Sequence, residues 1–570
     1  MINRVRRLVA IVPMLRPPLD FIRRFFKDRS TLGVIIADLR ITRRETAFLR
    51  NYEPPLNGRT LMILAVEDGA IYKLKLEAVL ATGLRLAGWR PLAVFRNRSC
   101  LLGRSYFKAF GIRDFIYLDD IRLNAEERKH CRRSAEAMMK DTLDLQVVKS
   151  WCFQDSWIGP QMISTLSRLR FEGTPDFTDP AVRDLLTAVL PGTLEHVLRA
   201  KKLMARFPTD LAIINEANYA IFGPLVDMCI SRGTSVVQFV QPWKDDAQIF
   251  KRLTVATRRE HPASVDRSNL DRIVRQPWTA THEEKLQSVF FDRYNGKWFL
   301  QARNQRNTQR CSRQQLIEKL GLDSGKKIAV VFSHVLWDAN LFYGEDLFKD
   351  YGEWFVRTVA AACANPHLNW LIKVHPANVW KRAYEKVAAE YAEVVLIRRA
   401  IGDLPAHVKL IPADSDISTY SLFQSIDYGI TVRGTSGMEL ACFGKPCITA
   451  GTGRYSGLGF TVDSPTREVY LSKLAHLHEL PLMTDDEVAR AKWHAYAAFI
   501  LRPWSMKSIR SEFSYRNHGA HPLDHNLHLV ARSIDEIREN GDLHAWAMWA
   551  SGADVDFVAW ESEPSQEQDS

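Results

Sequence analysis

Rhythm constrains this chain more than any other feature. Short apolar runs recur, each closed by a polar or glycine-rich break and followed by residues at helical spacing. Thr60-Leu61-Met62-Ile63-Leu64-Ala65-Val66 is the first run, and Glu67-Asp68-Gly69 breaks it. Residues 72–87 then carry Leu74, Leu76, Val79, Leu80 and Leu84 at helical spacing, Gly88 ends them, and Pro91–Phe95 is the next run. Uninterrupted apolar runs of this length suit strands buried on both faces, and such strands alternate with helices in parallel sheets. The pattern predicts an α/β fold. One strand series lies at 60–66, 91–95, 115–118, 210–215 and 235–239. A second lies at 328–332, 370–374, 394–397, 428–432 and 446–450. Residues 120–205 read mainly as helices, and 243–320 as helices and loops bridging two domains.

The chain's 570 residues exceed one hydrophobic core. The expected division is a basic arm and linker at 1–55, an N-terminal Rossmann-like domain with helical insertions at 56–320, a second Rossmann-like domain at 321–484, and C-terminal helices crossing back before an acidic tail at 485–570. Hydrophobic residues make up 46% and charged residues 25%, which excludes wholesale disorder, collagen and a small disulfide scaffold. The net charge is +11. Residues 1–30 hold eight Lys/Arg and two Asp, while 552–570 hold six carboxylates and no Lys or Arg, so the ends cancel and the body keeps the excess. That excess suits an anionic ligand or an anionic membrane surface. The absence of a helix-turn-helix, zinc-finger or RNA-binding signature points away from nucleic acid.

Eight irregularly placed cysteines without a C-x-x-C or a zinc spacing predict free thiols, no metal site and a reducing cytoplasm. Cys229, Cys442 and Cys447 sit in apolar surroundings and read as core thiols. No run of 18 uncharged apolar residues predicts a membrane span. The basic, aromatic segment Phe21-Ile22-Arg23-Arg24-Phe25-Phe26-Lys27 reads either as a peripheral anchor on the inner membrane face or as a solvated arm.

In open α/β sheets ligands bind beyond the carboxyl ends of the strands. Three loops of the second series occupy that place: 333–344, 375–380 and 433–438. Arg433-Gly434-Thr435-Ser436-Gly437-Met438-Glu439 is a strand-to-helix turn. Its glycines allow close backbone approach, and a helix start offers free N–H groups and a positive dipole end, so the turn suits a nucleotide phosphate. Glu439 reads as an acceptor for a ribose hydroxyl or as a dipole-matched surface residue. In Lys373-Val374-His375-Pro376, the proline stops the strand and aims His375 into the cleft, where an imidazole can donate to a phosphate or protonate a leaving group. Lys373 adds charge unless strand alternation turns it away. In Ser333-His334-Val335-Leu336-Trp337-Asp338, His334 or Asp338 faces a sugar or acceptor, or Trp337 packs and Asp338 caps. In the first series, Glu67 or Asp68 is either an acceptor-activating carboxylate or a helix cap. Asn215-Glu216-Ala217-Asn218-Tyr219 is a similar strand-end loop. Lys244-Asp245-Asp246 is a weaker candidate, since charge runs are usually solvated.

Together these motifs resemble the bacterial capsule polysaccharide biosynthesis glycosyltransferases, over about 327–500. The stretch includes Gly434-Thr435-Ser436-Gly437-Met438-Glu439-Leu440-Ala441-Cys442-Phe443-Gly444-Lys445-Pro446 and Gly451-Thr452-Gly453-Arg454-Tyr455. The resemblance implies the two-Rossmann-domain glycosyltransferase-B fold and a nucleotide-activated sugar held mainly by the second domain. It makes His375-Pro376 similar to the phosphate-contacting loop of transferases that use cytidine-monophosphate sugars. It implies metal-independent catalysis with no cofactor beyond the donor itself.

The reading that follows is glycosyl transfer, from a nucleotide sugar to a growing polysaccharide or glycolipid. His375, with Glu67 or Asp68, does the chemistry. Lys373, Arg433, Gly434, Thr435, Ser436, Gly437, Glu439 and His334 hold the donor. A nucleotide-sugar 2-epimerase on the same fold and a non-enzymatic polysaccharide-binding protein remain as alternatives.

Overall fold

The computed structural model describes residues 29–65, 70–140, 142–170, 173–304, 308–336, 341–384, 390–514 and 523–560. Two sheets organise it. The first holds β1 (Thr60–Ile63), β2 (Arg90–Phe95), β3 (Asp114–Tyr117), β4 (Leu211–Ile214), β5 (Ser235–Val240) and β6 (Ala247–Leu253). The second holds β7 (Ile328–Phe332), β8 (Asn369–Lys373), β9 (Val408–Ile411), β10 (Tyr428–Thr431), β11 (Cys447–Thr449) and β12 (Val462–Asp463). The short β13 (Trp504–Ser505) returns to the first sheet, where it pairs antiparallel with β6. Antiparallel β14 (Ile509–Phe513) and β15 (His525–Leu529) form a separate ribbon.

The strand orders are β13-β6-β5-β4-β1-β2-β3 and β12-β11-β10-β7-β8-β9. Strands β1 to β5 are mutually parallel, and so is the whole second sheet. In each sheet the order reverses beside the first strand, between β1 and β4 and between β7 and β10. That reversal opens a crevice at the strands' carboxyl ends. Each sheet is covered on both faces. Helices Ile71–Leu86 and Asp542–Ala550 join one core of the first sheet, and Pro180–Arg206 and Gly223–Ser231 the other. The second sheet likewise divides its buried side chains between two cores. Central strands are therefore apolar throughout, as the runs in the sequence required.

The C-terminal segment is built into the first unit. Trp546 is fully buried and donates from its indole N–H to the Leu80 carbonyl at 2.9 Å, and its ring stacks on Phe250 at 4.4 Å. Cys229, Cys442 and Cys447 are buried and free. Among the described residues no helix is long and apolar enough to cross a membrane.

Two readings of the sequence need correction. Val394–Ile397 is not a strand but part of the helix Ala392–Ala400. Of its residues only Glu393 and Ile397, four apart, are buried, which is one helical face rather than a two-sided strand. The edge strand is β9, whose burial is partial and whose sequence Val408-Lys409-Leu410-Ile411 carries a charge. Within 243–320, β6 is a fully buried strand. Its signal was masked by Gln248, Lys251 and Arg252. These polar groups are tolerated because Lys251 pairs with Asp556 at 3.2 Å and Arg252 donates to the Asp554, Trp549 and Ala550 carbonyls.

Candidate active site between the two sheets

A cavity of about 930 Å³ opens between the units, at the carboxyl ends of both sheets. Among the described residues it is lined by seven arginines and lysines against three carboxylates, so it favours anions. His375, His334, Arg433, Gly434 and Thr435 line it from the second unit, and Asn215, Glu216 and Asn218 from the first.

His375 stands where Pro376 ends the extension of β8. Its ring Nδ1 accepts the Ala377 N–H at 3.1 Å. That bond occupies the Nδ1 lone pair and puts the proton of the neutral ring on Nε2. The geometry suits hydrogen-bond donation from Nε2 better than proton transfer. The loop is held from behind by Ser333, whose hydroxyl accepts the His375 N–H at 2.8 Å and donates to Glu393 at 3.2 Å. Glu393 also accepts from Asn378 at 2.8 Å, and burial pushes its carboxyl up. The helix that the sequence disguised as a strand thus anchors this loop.

His334 follows β7. Its Nε2 accepts the Val432 N–H at 3.2 Å and lies 3.0 Å from the Thr431 hydroxyl, so Nδ1 carries the proton. Its ring stacks on Tyr351 at 4.4 Å. Burial, followed by His375, Arg433 and Arg454, pushes its pKa well below the usual value and keeps it neutral.

Gly434 caps the helix Thr435–Cys442, and no side chain caps the opening amides. Neither glycine of the turn has a positive φ. Each instead clears space. A Cβ on Gly434 would meet Thr431 Oγ1 at 3.0 Å, and one on Gly437 would lie 2.3 Å from the Tyr455 hydroxyl. That hydroxyl donates to the Gly434 carbonyl at 2.6 Å and pins the turn. Arg433 forms an ion pair with Asp346 and donates to the Glu345 carbonyl at 3.2 Å. Burial outweighs this pair and raises the Asp346 carboxyl to about 6.

Four expected donor-binding residues lie elsewhere. Lys373 is buried, donates to the Pro412 carbonyl at 3.1 Å instead of lining the cavity, and is lowered by burial to about 8. Glu439 is 1% exposed and accepts from Arg293 at 2.5 Å and Tyr294 at 2.8 Å, which removes it both from a ribose and from the surface. Ser436 and Gly437 form the turn without lining the cavity. Glu67, Asp68 and Asp338 lie outside the described residues.

Arg454 was missed as a site residue, although it sits inside a quoted motif. It lines the cavity, and among the described residues no group accepts a hydrogen bond or ion pair from its guanidinium. Burial lowers its pKa. It in turn helps to hold His261, His334 and His494 neutral, His494 falling to about 3 mainly through burial. Only its position between two glycine-bearing turns hinted at this. Among the described residues, no group of three or more His, Cys, Asp or Glu side chains is placed to hold a metal ion.

Residues 282–489, which carry these loops, match the family described as "Capsule polysaccharide biosynthesis protein". No curated protein matches the sequence. Among solved structures, the Thermosulfurimonas dismutans KpsC β-Kdo 2,4 transferase is 12% identical, with 58% of this chain and 87% of that chain covered, at a TM-score of 0.31. The β-Kdo 2,7 transferase of the same KpsC is 16% identical over 54% of this chain and 82% of that one, at 0.31. The UDP-GlcNAc 2-epimerase from Neisseria meningitidis is 9% identical over 76% and 94%, at 0.26. These likenesses are too distant to assign an activity.

Proposed function

We propose that the protein is a glycosyltransferase of capsule polysaccharide synthesis. It moves a sugar from a nucleotide-activated donor, a CMP-sugar by resemblance of its His-Pro loop, to a saccharide or glycolipid acceptor. The observation that carries this reading is one cationic cavity at both crevices, in which His375, the Gly434–Thr435 turn and the unpaired Arg454 converge.

The chemistry follows from what each group offers. Breaking the glycosyl–phosphate bond leaves negative charge on the phosphate. The Arg454 guanidinium and the His375 Nε2–H supply donors to that charge, and the amides opening the helix add their dipole end. Donors preorganised in this way need no reorganisation during reaction. A cavity between two units also excludes water when they close, which favours transfer over hydrolysis. Glu67 or Asp68 after β1 would activate the acceptor hydroxyl. Glu216, after the neighbouring β4, lines the cavity. The epimerase alternative needs carboxylates around the sugar, and Glu439, the one it leaned on, is engaged by Arg293 and Tyr294. Contact of residues 1–28 with an anionic membrane is part of the proposal and lies outside the described residues.

Nucleotide release from CMP-, UDP- and GDP-sugars, with and without a polysaccharide acceptor, tests the function. Release is expected only with acceptor. His375→Ala is expected to lower it by ~10²–10³, as removal of one preorganised donor does, with an unchanged melting temperature. Full activity in that variant removes His375 from the mechanism, and conversion of donor without acceptor removes the transferase reading.

A further inference from the structure

The cavity contains a second His-Pro-Ala loop, supplied by the first unit. His261-Pro262-Ala263 repeats His375-Pro376-Ala377 in sequence, and both histidines line the same space. The local geometry repeats as well. Ala263 N–H donates to His261 Nδ1 at 3.0 Å, as Ala377 N–H does to His375 Nδ1 at 3.1 Å. Both rings are therefore held in the tautomer that carries its proton on Nε2.

The loop is built to stay in place. Arg502 is fully buried and donates to the carbonyls of Ser264 and, at 3.1 Å, Pro262. The same guanidinium pairs with Asp556 at 2.6 Å. Asp556 in turn accepts the Asp266 N–H at 2.5 Å and pairs with Lys251. A buried ionic network reaching from the C-terminal segment thus fixes the few residues around His261. The ring itself stands edge-on to Tyr343 at 5.2 Å.

Resting on the glycosyl-transfer reading, we propose that His261 is a second binding residue of this site: a neutral hydrogen-bond donor that offers Nε2–H, from the first unit, to a phosphate or hydroxyl oxygen of the bound nucleotide sugar. The charged groups around the ring are Arg454 and Arg433 from the second unit, Lys251 from β6 and Arg502 from the C-terminal segment, with Glu260 next in the chain paired to Lys251 at 2.8 Å. Burial first and these cations after it hold the ring well below its usual pKa. Protonation would also drive an Nδ1 proton against the Ala263 N–H. His261 therefore donates without acting as base or acid, which divides its work from that of an acceptor-activating carboxylate.

The test uses the full chain and the variants His261→Phe, which keeps a ring but no donor, and His261→Gln, which keeps a donor N–H. Calorimetry with CMP, UDP and GDP comes first, then acceptor-dependent turnover of the matching nucleotide sugar. If the partner is phosphate, His261→Phe weakens nucleotide binding by roughly tenfold to a hundredfold and His261→Gln restores most of it. If it is a sugar hydroxyl, nucleotide binding holds and turnover falls by a similar factor, again with rescue by Gln. In 15N-histidine-labelled protein, the signal lost in His261→Gln should report Nε2–H and stay unshifted from about pH 6 to about pH 9. Wild-type binding and turnover with an indifferent His261→Phe overturn the inference alone, as does an Nδ1–H signal. A wild-type chain that binds none of the three nucleotides overturns the transferase reading before any variant is compared.

Discussion

Arg454→Met separates a ligand-binding residue from a structural one. In the protein as it stands, the guanidinium is half-buried in the cavity wall without a hydrogen-bond or ion-pair partner among the described residues. Burial is the first cause of its lowered pKa, and Arg293 opposes its charge as well. A methionine fills a similar volume with no charge to desolvate. Folding stability should therefore hold or rise, a trade-off typical of site residues. Binding should move the other way. A hydrogen bond to a charged group contributes about 1.5–3 kcal/mol, so nucleotide affinity should fall by roughly 10- to 150-fold. Thermal unfolding and calorimetric titration on the same preparations give both numbers. A variant that melts earlier yet binds nucleotide normally refutes the reasoning, because the residue would then be holding the fold and not the ligand.

Two further perturbations follow from the fold. Glu77, in the helix Ile71–Leu86, is fully buried, neither oxygen accepts a hydrogen bond, and burial raises its pKa to about 7. The folded chain therefore takes up a proton that the unfolded chain lacks between about pH 4.5 and 7, so this contribution is full below that window and is lost as pH rises through it. Glu77→Gln should raise stability at pH 8 by at most roughly 3 kcal/mol and flatten that part of the stability–pH curve; an unchanged curve contradicts it. Gly437→Ala should cost about 1–3 kcal/mol by driving a Cβ against the buried Tyr455 hydroxyl, with a loss of nucleotide binding as the Gly434 carbonyl contact breaks. A variant of wild-type stability and affinity would show that the turn does not depend on this fit.

The α/β class was legible because β1, β7 and β10 are buried on both faces and so must be continuously apolar. The three ligand loops were legible because a parallel strand's carboxyl end is announced by whatever stops it: Ser333-His334 after β7, His375-Pro376 after β8, Arg433-Gly434 after β10. What stayed hidden depended on partners distant in sequence. Glu439 looks like a free carboxylate until Arg293 and Tyr294 arrive from the helix Ala280–Tyr294. For Lys373 the sequence left open whether its charge enters the site or is turned away, and its partner, the Pro412 carbonyl, lies 39 residues on. β6 carries charges that become tolerable through partners such as Asp556, the carbonyls near it and Glu260. His261 had a signal that was overlooked, since its His-Pro-Ala repeats the motif at 375. Arg454 had none beyond its flanking glycines, because being unpaired is a property of the folded site.

Glycosyl transfer in this cavity requires that it hold an activated sugar by its phosphate. Titration of CMP, UDP and GDP into the purified protein, with Arg454→Met alongside, measures that directly. The prediction is saturable binding of at least one nucleotide, lost or sharply weakened in the variant. Binding of polysaccharide with no heat from any of the three nucleotides would contradict it.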